Sequence, residues 1–423
     1  MKKYSLINNV LGWVVFLIAT TVYLLTAEPT VPWWDCGEYT ATADKLQVGH
    51  PPGAPTFQLI GSLFSIFAGS DTSLVAYAMN AMSAICSGFT ILFLFWTITM
   101  LAKKLVKNKE EMTLGQMIAI FASGVVGSLA YTFSDTFWYS AVESEVYAMS
   151  SCFTAISFWA ILKWEAEADD KHNLRWLILI AFLIGISIGV HLLNLLAIPA
   201  ITYVFYFKKY PNVEKNKKRN FILVGIISML LVAIILYFIV PYIVIFAGKF
   251  EIFFTNSIGL PFNTGTIVYF ALLIGLLVWG VWYSIKKQKV ILNTALLSVL
   301  FILIGYTTFF VLVIRSNANT PINENAPKDA TALLTYLNRE QYGYTPLFHG
   351  QYYNAMVVDQ QESSSKYIKD KESGKYIEVK QRGKLVYESD KTTIFPRMWS
   401  NDESRNHPTY YKMWAGIDEN SDR

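Results

Sequence analysis

Long apolar runs dominate the chain, and their spacing limits the fold more than any other feature. Nine of them, near 10–27, 75–102, 114–133, 146–163, 174–190, 191–207, 221–245, 266–285 and 291–314, are candidate membrane-spanning helices. A helix needs about 20 apolar residues to cross a bilayer, so the shorter runs have uncertain ends. Lipid offers no hydrogen bonds to an open backbone, which selects helices for such runs. Charged residues make up only 16% of the 423 residues, where a soluble domain has about 25%. The deficit ends after Arg315, where the sequence turns polar. The expected fold is an α-helical polytopic membrane protein with a small α+β C-terminal part. It has about nine transmembrane helices and one interfacial helix. Residues 1–314 form the membrane part and 315–423 an extracytoplasmic region. The polar ending GIDENSDR leaves room for a longer domain.

A tenth run, 55–68, decides the topology. If it does not span, eighteen lysines and arginines fall on the cytoplasmic side and only Lys45 and Lys249 on the outer side before the tail. That satisfies the positive-inside rule, and the opposite choice violates it. Residues 55–68 therefore read as an interfacial helix, started by Pro51, Pro52 and Pro55. The first run follows Lys2 and Lys3, has no clear small-x-small cleavage pattern, and is expected to be retained. The small net charge of +4 is a matter of topology, not of a nucleic-acid partner.

This assignment puts the conspicuous polar segments on one side: 31–55, 134–147, the hairpin at 189–196, and everything after Arg315. The 34-residue run 174–207 is too long for one ordinary helix and is expected to break at Gly189–His191. In the tail, 329–342 reads as a helix capped by Asp329. Residues 366–388 read as a β-meander with turns at Ser373–Gly374 and Arg382–Gly383.

Acids beside a membrane are costly unless solvated or put to use. Asp35 and Glu38, three apart, would share a helix face. Glu143 and Glu145 stand in the second outer loop, and His50, His191 and Arg315 lie on the same side. A carboxylate there can take a proton from an acceptor hydroxyl. Arg315 has the planar fork that suits a phosphate. Each residue also has an ordinary role open to it: solvated loop acid, helix cap, turn histidine or interfacial anchor. Trp33, Trp34 and Trp138 fit an interfacial belt or a sugar-stacking platform. Cys36, Cys86 and Cys152 read as apolar filler, with a nucleophilic Cys36 as the minor alternative. No metal motif or glycine-rich nucleotide loop is present, so neither metal nor other bound cofactor is expected. These residues alone leave open an enzyme, a lipid-linked sugar transporter or flippase, and a non-catalytic membrane scaffold.

Several blocks together carry a family resemblance: WDCGEYTATADKLQVGHPPGAP, SAVESEVYAMSSCFTAISFWAILKWE, IGISIGVHLLNLLAIPA, and NREQYG with HGQYY. The chain resembles the GT-C class of polytopic glycosyltransferases over roughly residues 10–355. More narrowly, it resembles the bacterial family related to protein O-mannosyltransferases, common in Bacteroidetes-type bacteria. The resemblance implies a multi-pass inner-membrane enzyme with its site on the periplasmic face. It implies transfer, with inversion, of mannose or another hexose from a polyprenyl-phosphate sugar. The acceptor would be a hydroxyl, foremost Ser or Thr of a secreted or periplasmic protein; a glycan or lipid acceptor stays open. Asp35, with Glu38 second, maps to the acid of the first outer loop, the usual catalytic residue of the class. By looser correspondence, Arg315, His191 and His50 would bind the donor phosphate. Glu143, Glu145 and Trp34 would meet the acceptor or sugar. Family members are usually longer than this chain.

Overall fold

The computed structural model describes residues 2–107, 111–210, 216–343, 346–361, 365–380, 383–396, 398–400 and 402–418. Lys109, Lys215 and Arg382, used above for charge counting and a turn, lie outside them. Helix α1 (Lys2–Thr26) leads into a short helix α2 (Cys36–Asp44) and then α3 (Pro55–Ser65). Helices α4 (Val75–Lys104) and α5 (Leu114–Thr132) are long, and α6 (Asp135–Val142) is a short link to α7 (Val146–Ala166). Helices α8 (Leu174–Ile188) and α9 (Ala197–Lys209) follow. Helices α10 (Lys217–Ile234) and α11 (Val240–Ile252) run together through a π-turn at Ile235–Ile239. Helices α12 (Thr264–Lys286), α13 (Val290–Tyr306) and α14 (Phe310–Asn317) complete the apolar part.

Among the described residues, seven helical stretches are long and apolar enough to cross a membrane, as befits a polytopic helical membrane protein. They coincide with seven of the nine expected runs. The other two, 174–190 and 191–207, do break at Gly189–His191, but into helices of 15 and 13 residues. Run 55–68 becomes α3 plus one 3₁₀ turn, also short of a span. Pro55 starts α3, where a missing N–H costs nothing. Phe57 and Gln58 are buried, while Leu63, Ile66 and Phe67 are exposed.

Small residues allow the tightest helix contact. A Cβ on Gly185 of α8 would collide with the Ile302 carbonyl of α13, and one on Gly305 with the Ile186 backbone. Around this crossing, Ile161, Trp164, Ile184, Ile302 and Leu312 form one core. Val15, Tyr23, Ile91, Phe95 and Phe137 form another between α1, α4 and α6.

The two ends of the bundle differ in chemistry. At one end, Lys104 pairs with Glu165, Arg175 with Glu167 at 2.7 Å, and Lys208 with Asp169 at 3.0 Å. At the other, backbone and amide bonds tie several of the loops. Glu28 N–H donates to Val142 O at 3.2 Å, and Thr56 N–H to Gly189 O at 2.8 Å. The Asn80 amide donates to Glu28 O at 2.6 Å and Thr30 O at 3.0 Å.

Beyond α14 the chain forms α15 (Ala330–Leu337), six short strands and α16 (His407–Ala415). The strands are β1 (His349–Gln351), β2 (Val357–Gln360), β3 (Ser365–Asp370), β4 (Lys375–Lys380), β5 (Leu385–Tyr387) and β6 (Thr392–Ile394). Asp329 caps α15 as expected, accepting from Thr331 and Ala332 N–H. The meander is only half present. β3 and β4 form a hairpin, but β5 pairs with β2, and β1 with β6. Glu251, fully buried at the end of α11, accepts from the Asn263 and Thr266 N–H groups that open α12. Tyr376 of β4 donates its hydroxyl to Glu251 at 3.3 Å, and Asn256 bonds both backbone groups of Tyr376. The hairpin is thus fixed to the α11–α12 turn.

Candidate catalytic site

Asp35 stands at the N-terminus of α2 without a side-chain cap bond, its side chain 58% exposed. One turn on, Glu38 faces the segment that returns after α2. Gly49 makes this possible, since a Cβ there would collide with Glu38 Oε1. The same oxygen accepts from the His50 backbone N–H at 2.5 Å and meets His50 Nδ1 at 3.0 Å. With Nδ1 held by Glu38, His50 turns Nε2 toward Asp35 Oδ2, 3.9 Å away. Asp35, His50 and Glu38 thus form a carboxylate–imidazole–carboxylate line.

The electrostatics follow from these contacts. The hydrogen bond to Glu38 raises the His50 pKa above its ordinary value against the effect of burial, and the charges of Glu38, Asp35 and Glu324 add to it. Burial pushes Glu38 up, but hydrogen bonds from the His50 ring and backbone bring it below the usual carboxylate value. Both shifts favour the charged form of the pair.

Glu145 caps α7 beneath α2. It is 7% exposed, accepts from Val146 N–H, and lies 3.9 Å from Cys36 Sγ. Burial, with help from the Asp35 and Glu143 charges, pushes its carboxyl up to about 7. Burial also raises Glu143. The Cys36 thiol is pushed up to about 12 by burial and then by Glu145. It stays protonated at neutral pH, which disfavours the nucleophile alternative. Thr40 and Ser144 hydroxyls, 3.2 Å apart, join α2 to the loop before α7.

The loop is also held from far along the chain. Arg315 donates from Nε to Leu46 O at 2.5 Å and from Nη2 to Lys45 O at 3.0 Å. It clamps the end of α2 rather than reaching toward His50. Val48 pairs in parallel with Asn323, and Gln47 Oε1 accepts from Ile322 N–H at 2.8 Å. This strap brings Glu324 into the field of Glu38 and His50, and burial followed by the Glu38 charge raises Glu324. From α15, Tyr336 donates its hydroxyl to Gly49 O at 2.6 Å and lies 3.2 Å from His50 O.

The expected site residues therefore fall into groups. Asp35, Glu38 and His50 are in direct register; Glu145 lies within the electrostatic reach of Asp35 and His50, and Glu143 within that of Glu145. His191 accepts from Leu193 N–H and packs at a tilt against Tyr147, with centroids 5.5 Å apart and ring planes at 55°; burial lowers its pKa. Trp34, at φ 59°, is 93% exposed immediately before Asp35. Glu324, Tyr336, Gln47 and Ser144 were not singled out from the sequence. The polar run PINENAP after Arg315 was the available signal for Glu324.

Residues 35–214 match the family described as Protein O-mannosyl-transferase TMEM260 N-terminal domain. Residues 343–423 match a family of unknown function, DUF8416. Protein O-mannosyl-transferase tmem260 of Dictyostelium discoideum is 28% identical over 156 residues, which is 37% of this chain and 17% of that protein. Protein O-mannosyl-transferase TMEM260 of Mus musculus is 25% identical over 175 residues, 41% of this chain and 22% of that protein. The chain thus matches about a fifth of the length of these curated relatives. No solved structure matches. Over the stretch that holds Asp35, Glu38, His50 and Glu145, the chain is similar to the protein O-mannosyltransferases.

Proposed function

We propose that the chain is a GT-C-type membrane glycosyltransferase. It moves mannose or another hexose from a polyprenyl-phosphate donor to the hydroxyl of Ser or Thr in a secreted or periplasmic protein. The observation that carries this reading is the Asp35–His50–Glu38 line within the family-matched stretch. The lysine-rich end faces the cytoplasm by the positive-inside rule. The site then faces the periplasm from a bacterial inner membrane. Residues 1–314 are the catalytic membrane part, and 315–423 an extracytoplasmic region whose first segment straps the site.

In the reaction, Asp35 takes the proton of the acceptor hydroxyl, whose oxygen attacks the anomeric carbon. The bond from that carbon to the phosphate oxygen breaks with its electron pair on the departing polyprenyl phosphate, and the configuration inverts. Glu38 keeps His50 cationic, and His50 offers charge to the phosphate as it leaves. Arg315 sets the height of the loop through the Lys45 and Leu46 carbonyls, and its remaining edge, like His191, is left for the phosphate. Glu143, Glu145 and the exposed Trp34 frame the acceptor and sugar. The residues supply acid–base and electrostatic catalysis without a bound cofactor. A cavity of about 720 Å³ between α11, α12, α13 and α15 is lined by Phe270, Leu273, Leu303 and Phe310, with Lys328 and Asp329 at its polar end. It suits a hydrocarbon tail.

The test is purified protein with a polyprenyl-phosphate sugar, scored for release of polyprenyl phosphate. Asp35→Asn should lose about 10²–10⁴ of the rate, the usual worth of a positioned base. A folded, membrane-inserted Asp35→Asn variant with full transfer overturns the assignment. A transporter would move the donor without releasing polyprenyl phosphate.

A further inference from the structure

The hydroxyl of Tyr336 lies almost 300 residues along the chain from the loop it touches. Its side chain is fully buried. It donates to Gly49 O and sits within reach of His50 O, the two carbonyls that bracket the His50 backbone N. That N–H and the ring Nδ1 both point at Glu38 Oε1. On its other side the phenol is enclosed by the 50–53 turn, closed by the Gly53 N–H to His50 O bond at 2.9 Å. A Cβ at Gly53, where φ is +77°, would come within 2.8 Å of the Tyr336 oxygen. The phenol and the turn are fitted to each other, and nothing larger than glycine can separate them.

Helix α15, which carries Tyr336, is in turn fixed from the tail. Thr331 Oγ1 donates to Tyr367 O of β3 at 3.2 Å, and β4 of the same hairpin is bonded to Glu251 and Asn256. A continuous set of hydrogen bonds thus runs from the α11–α12 turn, through the hairpin and α15, to the backbone of His50.

We propose that Tyr336 is a positioning residue of the site: by holding the Gly49 and His50 carbonyls, it sets the contact between His50 and Glu38, and so the charge that His50 presents beside Asp35. The proposal rests on the catalytic reading of Asp35 and His50 only for its consequence, not for its geometry. Burial, then the Glu38 and Glu324 charges, raises the Tyr336 pKa, so the hydroxyl remains a donor at working pH.

The experiment reads His50 directly, without donor or acceptor. The full chain in detergent, with ¹³C-labelled histidine, is titrated by NMR, and the His50 signal is assigned by loss in His50→Gln. The groups facing His50 are Glu38 at its Nδ1, Asp35 at its Nε2, the Tyr39 ring at 5.5 Å, and the charges of Glu324 and Glu145. All are kept in Tyr336→Phe, Gly53→Ala and Gln47→Ala. Tyr336→Phe retains every ring carbon, and the His50 midpoint should fall toward that of free histidine. Gly53→Ala, which crowds the same oxygen from the opposite side, should act in the same direction by an independent route. Gln47→Ala cuts the strap at Ile322 but leaves both carbonyls bonded, and should leave the midpoint in place. In Glu38→Gln the Tyr336→Phe change should add nothing further, because the contact it acts through is gone. An unchanged midpoint in Tyr336→Phe, or an equal fall in Gln47→Ala, overturns the proposal. A chain that transfers no sugar at all would overturn the function and leave this titration readable.

Discussion

Glu145 offers the sharpest quantitative test of the site. It is nearly fully buried, shares its surroundings with Asp35 and Glu143, and carries a carboxyl raised from 4.5 to about 7. A proton equilibrium moved that far corresponds to about 3 kcal/mol, at about 1.4 kcal/mol for each tenfold change. The sign is that of a raised acid. The folded state holds its proton more tightly than the unfolded chain does. Stability contributed by the neutral form is complete below about pH 4.5 and is lost as pH rises toward 7. Glu145→Gln removes the ionisation but keeps one oxygen, enough for the Val146 N–H that bonds Oε2; its amide nitrogen then meets Cys36 Sγ, which bonds the other oxygen in Glu145. Relative to wild type, the variant should therefore gain about 2–3 kcal/mol between pH 4.5 and pH 8, with most of the gain below 7. Thermal unfolding in detergent at half-unit steps of pH measures the difference curve. Infrared difference spectra provide a second reading: a protonated-carboxyl band that titrates near 7 in wild type and is missing in the variant. Wild-type and variant stability curves that run parallel from pH 4.5 to 7.5 would refute the reasoning, because burial would then not be setting the charge of Glu145.

Two other substitutions probe how the site is held. Gly49→Ala places a methyl against Glu38 Oε1. It should cost about 1–3 kcal/mol, as overpacking does, and lower transfer more than any change in membrane insertion explains; equal activity in folded protein argues against the Glu38–His50 pair. Arg315→Ala releases the Lys45 and Leu46 carbonyls and should destabilise the chain by about 1.5–3 kcal/mol, the range for hydrogen bonds to a charged group. Arg315→Lys recovers only part of this, since one ammonium cannot reproduce the guanidinium fork; denaturant unfolding of the three proteins decides it.

What the sequence made legible was local. The apolar runs located the long helices because lipid leaves the backbone no other choice. Gly189–His191 marked a break, since a left-over polar pair inside 34 apolar residues has few other uses. The i, i+3 spacing placed Asp35 and Glu38 together, and the GHPPG turn lay close enough to deliver His50. The misjudged parts were long-range. Alternation marked the strand at 385–387 but could not choose between β4, its neighbour in sequence, and β2, its partner in the fold. The other contacts of Arg315 were equally out of reach: its Nε and Nη2 answer two backbone carbonyls about 270 residues away, a pairing that no local pattern announces. Tyr336 sits in LLTYLN as one more apolar-face residue, and only the fold shows what its hydroxyl meets.

The family-matched stretch ends at residue 214, and it holds Asp35, Glu38, His50, Glu143 and Glu145 but not Arg315, Glu324 or Tyr336. Three of these eight residues therefore lie outside the part that matches the family. The division is a chemical one. The matched stretch supplies the ionisable groups that can exchange protons, and the later segments supply neutral or permanently charged donors to backbone carbonyls, Glu324 excepted. Proton chemistry fixes which side chains must be present, whereas the height of a loop can be set by any donor of suitable reach. On this argument, removing the Tyr336 hydroxyl should tune the charge of His50 and the rate. Replacing Asp35, the proposed base, should cost far more, about 10²–10⁴ of the rate, because no backbone contact can replace a base.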